Sequence, residues 1–178
     1  VKSALARVGL EMAWYDLAAR TAGVRVAELL GSARCGAVPL NALIDEHEPE
    51  PAAQAARECV VQGFRCLKLK VIADDVAAES ARLAAIRDAV GAEVRIRLDA
   101  NGAWTVNDAI AAIQRLAVYG IEYIEQPVAD ITALAQVRRA VRVPIAADDS
   151  VTDAGAGALL AAAQAADVVI VKPTLIGL

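Results

Sequence analysis

Histidine and aromatic residues are scarce in this chain. One histidine, His47, serves 178 residues, and thiolate and imidazole ligands at metal spacing are missing, which argues against zinc. Aromatics make up 3%, too few for the platforms on which single-stranded nucleic acid stacks. The net charge of −4 leaves no basic footprint for such a partner. The three cysteines, Cys35, Cys59 and Cys66, are odd in number and read as free thiols of a reducing cytosol. The longest charge-free run, Ala154 to Ala166, has 13 residues, short of the roughly 20 that a membrane span needs. No signal peptide is visible at Val1. The expectation is a cytoplasmic protein with neither nucleic acid nor membrane as partner.

What is abundant is alanine and a rhythm. Hydrophobic residues reach 57%, much of it alanine, which favours helix and packs tightly. A helix is predicted over Ser3–Thr21, stopped by Gly23, and a short one over Val26–Leu30, ended by Gly31. From Pro39 onward strand and helix alternate. The predicted strands are PLNALI, FRCLKLKV, VRIRLDAN, IEYIEQP, VPIAADDS and VVIVKP. Helices of about 50–62, 75–90, 106–119, 131–141 and 153–163 lie between them. Short pitches between strands imply right-handed crossovers in a parallel α/β sheet. No glycine-rich phosphate loop follows the first strand, which counts against a nucleotide fold. An ionisable residue closes each of strands two to six. A (β/α) barrel of the TIM type gathers such ends at one mouth, whereas an open sheet gathers only those at its switch point. Six strands are two short of eight, so a fragment, two strands supplied from elsewhere and an open sheet all stay in view. The division expected is 1–36 as a helical lead-in and 37–178 as a partial barrel.

Strand parity then selects residues. Lys68 and Lys70 share a face with Cys66, and Asp99 shares one with Arg95 and Arg97. Glu125 is expected beside Tyr123 and Ile121, with Glu122 on the opposite face. Asp148 goes with Ala146 and Pro144, and Lys172 with Ile170 and Val168. Lys70, Asp99, Glu125, Asp148 and Lys172 recur at intervals of 23 to 29 residues, one strand-helix unit each. Asp99, Glu125 and Asp148 make an oxygen-rich site for a hard cation, Mg²⁺ by default, with Mn²⁺ as the alternative. Lysines on either side suit proton abstraction from a carbon acid next to a carboxylate, with the metal stabilising the enediolate. Lys68 is expected to lower the proton affinity of Lys70 by like-charge repulsion. Asp149 or Ser150 is expected to cap the following helix.

The ordered set KLK, DAN, IEQP, AADDS and VKP resembles the enolase superfamily, in its muconate-lactonizing branch. The opening LEMAWYDLAARTAGVRVAELLG resembles the segment that leads into that family's barrel. The resemblance implies Mg²⁺ held by Asp99, Glu125 and Asp148, with Lys70 as one acid/base and Lys68 beside it. It places Lys172 on the opposite face of a small-molecule carboxylate substrate, and Asn101 as a supporting residue. The family usually has Glu where Asp149 stands, which keeps the charge and shortens the reach of a second supporting residue. The family's N-terminal capping domain and last barrel strands are largely missing from these residues, which would leave sheet edges exposed. The stretch VVIVKPTLIGL resembles the o-succinylbenzoate synthases, dehydrating lyases of menaquinone biosynthesis. Dipeptide epimerase or N-acylamino acid racemase, muconate cycloisomerase and an inactive truncated barrel are the alternatives. A homo-oligomer is left open.

Overall fold

A computed structural model describes residues 4–31, 37–153 and 155–176. Ser3, Cys35 and Gly177, on which parts of the sequence reading fall, lie outside them. Six strands form one sheet: β1 (Ala42–Ile44), β2 (Cys66–Lys70), β3 (Arg95–Asp99), β4 (Ile121–Glu125), β5 (Ile145–Ala147) and β6 (Val168–Val169). They lie side by side in chain order, each neighbouring pair parallel. The helices are α1 (Ala4–Ala22), α2 (Val26–Leu30), α3 (Pro49–Val61), α4 (Val76–Val90), α5 (Val106–Leu116), α6 (Ile131–Ala140), α7 (Ala156–Ala163) and α8 (Pro173–Ile176).

Chain order in a parallel sheet, with crossovers of one hand, lands every connecting helix on the same face. The core follows that rule. Leu67, Leu69, Ile96, Leu98, Ile124, Ile145 and Ala147 of the strands pack with Ala52 and Ala56 of α3, Leu83 and Ile86 of α4, and Ile113 and Leu116 of α5. The small Ala52, Ala53 and Ala56 let α3 lie close against the sheet and α4. A doubly wound sheet would need helices on both faces, so this is the wall of a (β/α) barrel, six strands of it, as expected. Local signals set the helix ends. The Asp75 carboxylate accepts the N–H groups of Ala77 and Ala78 at 3.0 and 2.9 Å and starts α4. Gly120, at φ 66°, reverses the chain after a 3₁₀ turn over Ala117–Tyr119 and delivers it into β4.

Three expectations fail locally. Ile96 pairs with Ile121 but Arg97 pairs with Tyr123, so β4 carries one extra residue, Glu122. This β-bulge puts Ile121 in the helix-side core and turns Glu122 to the inner face. The reason is charge: Glu122 meets Arg97 at 2.5 Å and Arg95 at 3.0 Å, two inner-face cations that strict alternation would leave unmatched. Neither Asp149 nor Ser150 caps the next helix. The chain first loops back, with the Ser150 N–H on the Gln126 side-chain oxygen at 3.2 Å. Asp153 then accepts the N–H groups of Gly155 and Ala156 at 2.7 and 3.1 Å. Finally, β6 ends at Val169 and Lys172 stands beyond it. Pro173, whose missing N–H costs nothing in a first turn, opens α8 there.

Candidate active site

The inner face of the wall carries the chemistry. Lys70 pairs across the ladder with Asp99, Asp99 with Glu125, and Glu125 with Ala146. One row at the carboxyl ends of β2, β3 and β4 therefore reads ammonium, carboxylate, carboxylate. Asp148 stands just past β5, two residues beyond Ala146. Asp99, Glu125 and Asp148 are all buried, at 4, 1 and 3% exposure. Apolar strand residues behind them keep water away on the helix side.

Lysines answer these charges from two levels. Lys68, one layer below, reaches up to Asp99 Oδ2 at 2.9 Å and to Glu125 Oε2 at 2.8 Å. Lys172, beyond β6, reaches Asp148 Oδ2 at 2.5 Å and Asp149 Oδ1 at 3.3 Å. Burial works against the Lys68 ammonium, but its hydrogen bonds to Glu125 and Asp99 outweigh that and its pKa is raised. The Asp148 hydrogen bond is the main cause that raises Lys172. Lys70, alone of the three, has no hydrogen bond or ion pair on its side chain among the described residues. Its side chain is exposed at the mouth.

Even with Lys68 on it, Glu125 is short of positive charge. Burial first, then the Asp99 charge and the Asp148 carboxyl, push it up to about 7 against the Lys68 hydrogen bond. Asp148 Oδ1 is buried with no hydrogen-bond partner among the described residues. Among the described residues no three His, Cys, Asp or Glu side chains stand as a group that could hold a metal ion; the Lys68 ammonium is paired with Asp99 and Glu125, and that of Lys172 with Asp148. Oxygen donors only, an orphaned carboxylate oxygen on Asp148 and a Glu125 carboxylate disfavoured by burial together are the donor chemistry of a hard dication.

Asn101 is placed differently from a side-chain contact. Its backbone, at φ 46°, turns so that its N–H donates to Asp99 Oδ1 at 3.0 Å. That turn orients the Asp99 carboxylate, while the Asn101 side chain is exposed. Asp149 is exposed and touches Lys172. The residue that joins the strand ends was not expected from the sequence. Gln126, buried and at φ 42°, donates to the Val128 carbonyl and Ser150 Oγ, both at 2.8 Å. Its side-chain oxygen accepts the N–H of Asp148 at 3.0 Å. The only hint was a polar residue between Glu125 and Pro127. Below the mouth, Arg97 lies 4.9 Å over the Tyr123 ring. Cys59 and Cys66 are free thiols, and burial raises both. No helix among the described residues is long and apolar enough to cross a membrane.

Known proteins resemble this chain in sequence and fold. The enolase C-terminal domain-like family matches residues 51–177. The o-succinylbenzoate synthase of Thermobifida fusca is 42% identical over 142 residues, 79% of this chain and 44% of that protein. The hydrophobic dipeptide epimerase of Enterococcus faecalis is 40% identical over 169 residues, 94% of this chain and 47% of its own length. A crystal structure of the dipeptide epimerase from Enterococcus faecalis, complexed with Mg and the dipeptide L-Leu-L-Tyr, superposes with a TM-score of 0.87 at 40% identity. It covers 94% of this chain and 47% of that one. The chain spans about half the length of the curated relatives it matches. A barrel wall, charged residues at its strand ends and these likenesses agree: the chain belongs to the enolase superfamily, in its enolase C-terminal domain-like family.

Proposed function

We propose that this chain carries the catalytic barrel of an enzyme that removes the proton next to a substrate carboxylate, most specifically an o-succinylbenzoate synthase. The observation that carries the common step is the row at the barrel mouth: Lys70 without a carboxylate partner, beside Asp99 and Glu125, with Lys172 on the far side of Asp148. Asp99, Glu125 and Asp148 would hold Mg²⁺. Bound there, the dication would offset the charge that gathers on the substrate carboxylate oxygens. Lys70, as the free amine, takes the α-proton, and the electron pair of that C–H bond passes into the carboxylate to give the enediolate. In the dehydration, that pair then forms the new C=C bond as the β-hydroxyl departs. The Lys70 ammonium returns its proton to the hydroxyl, so that water leaves. Lys172 stays a cation near the ring of the synthase's hydroxycyclohexadiene carboxylate substrate. The finer reading is supported by the closing stretch VVIVKPTLIGL and the 42% identity to the Thermobifida fusca synthase.

A dipeptide epimerase is the second reading, favoured by a relative matched over 94% of the chain. There Lys70 and Lys172 exchange protons on opposite faces of one carbon. Incubation in D₂O separates the two. Loss of water from the hydroxycyclohexadiene carboxylate supports the synthase; α-deuterium gained by a dipeptide without loss of water supports the epimerase. In either case Lys70→Ala should cost on the order of 100-fold or more in rate. Neither reaction in the presence of Mg²⁺ would end both readings. Mg²⁺ should also raise Tm, and should not do so in Glu125→Gln.

A further inference from the structure

Helix α4 buries an ion pair that the proton-transfer reading leaves unused. Arg82 is 0% exposed and Glu79 1%. Arg82 Nη1 donates to the carbonyl of Lys70 and Nη2 to the carbonyl of Ile44, both at 2.9 Å. Glu79 Oε2 accepts the N–H of Ile72 at 2.9 Å and lies 3.4 Å from Arg82 Nη1. Between those two points the Val71 N–H donates to the Asp99 carbonyl at 2.9 Å. Three successive residues, Lys70 to Ile72, therefore each have a backbone group pinned, and the end of β2 is bound to the end of β1.

This is a costly way to seat a helix. Among the described residues Glu79 Oε1 and Arg82 Nε have no hydrogen-bond partner, and buried charges short of partners oppose folding. Two aliphatic side chains would fill the same space without that cost. What they could not do is hold a carbonyl at the strand end. Lys70 needs such a hold more than Lys68 or Lys172, whose ammonium groups are oriented by carboxylates. Among the described residues the Lys70 ammonium has no such partner, so its aim is set by its backbone. A small displacement there is carried through a four-carbon side chain to the amine.

We propose that the buried Glu79–Arg82 pair is a positioning device for Lys70, fixing the end of β2 so that the Lys70 amine meets the substrate α-carbon. This rests on Lys70 being an acid/base. The test uses the full chain with Mg²⁺ and follows whichever substrate it turns over: water loss from the hydroxycyclohexadiene carboxylate, where kcat and KM alone are read, or, on the epimerase reading, α-deuterium uptake from D₂O measured separately for the two epimers of a dipeptide. Lys70→Ala identifies the epimer that Lys70 serves. Arg82→Lys and Glu79→Gln should slow the water loss, or that epimer's exchange, in kcat by on the order of 10- to 100-fold. KM should stay within about twofold, and the epimer served by Lys172 should be unchanged. Equal slowing of both epimers, the mark of a merely structural role, or no slowing at all, would overturn the proposal. If Lys70→Ala leaves the water loss, or the exchange of both epimers, at full rate, the base assignment falls, an outcome distinct from either of those. A second measurement does not depend on turnover. In NMR spectra of ¹³C-methylated lysines, with the Lys70 signal assigned from Lys70→Arg, Glu79→Gln should shift or broaden Lys70 and leave Lys172 in place. An unmoved Lys70 signal overturns the proposal.

Discussion

Glu125 shows how strongly one buried side chain can depend on its neighbours. Its pKa is pushed from 4.5 to about 7, chiefly by burial. Between those values the folded chain holds a proton that the unfolded chain has released, so stability falls as pH rises through that window. Glu125→Gln has no such proton to lose. In EDTA, the Tm advantage of Glu125→Gln over the parent should therefore grow from pH 5 to 8; a constant difference would remove the argument. Lys68, raised by the same contact, loses its contribution only above its ordinary 10.5 and does not interfere here. Gln126 is the other residue to test. Its amide joins Asp148 and Ser150 to the end of β4, so Gln126→Ala should strand buried N–H groups. A loss of about 1–3 kcal/mol in urea unfolding is expected. The lysines and acids of the mouth were legible as residues because each ends an apolar strand. Their partners were not, because Lys68 meets Asp99 and Glu125 across 31 and 57 positions of sequence.

At the scale of elements, β4 is where alternation breaks. Local pattern treats IEYIE as an unbroken period of two, and nothing inside the strand announces the bulge. The bulge exists because β3 brings Arg95 and Arg97 to the inner face, and the extra residue lets Glu122 meet both. Burial alone would raise Glu122; the two arginines more than offset it and hold its carboxyl below 4.5. The sign is then opposite to that of Glu125: this stability is present above 4.5 and lost as pH falls through the folded value. Glu122→Ala should cost about 1 kcal/mol at neutral pH, and its deficit against the parent should shrink on acidification below pH 4. Helix ends followed local chemistry more closely. Asp75 caps α4 and Gly120 feeds β4 within the bounds that the sequence suggested. At α7 the loop contacts to Gln126 overrode the local cap signal.

For the molecule as a whole, strand order is the decisive fact. β1 and β6 each have a neighbour on one side only among the described residues. Leu43 and Val169 on those strands are 51% and 44% exposed. Unpaired apolar edges recruit other strands. These 178 residues alone should therefore associate as concentration rises, as seen by light scattering, and Leu43→Lys with Val169→Lys should reduce it. A monodisperse monomer at high concentration would contradict this reading of the edges.

The sequence by itself determined the strand-helix rhythm and the charged residues at successive strand ends. Both depend on periods of two and 3.6 residues and on the near-constant length of one strand-helix unit. Only the tertiary structure decided that the helices pack on one face of a sheet in chain order, that Glu122 bulges inward, that Gln126 joins two strand ends, and that a buried pair on α4 grips the backbone of Lys70. It also decided which of the three lysines has no carboxylate partner among the described residues. Those outcomes turn on register between strands and on the loss of water around paired charges, and neither exists until distant segments meet.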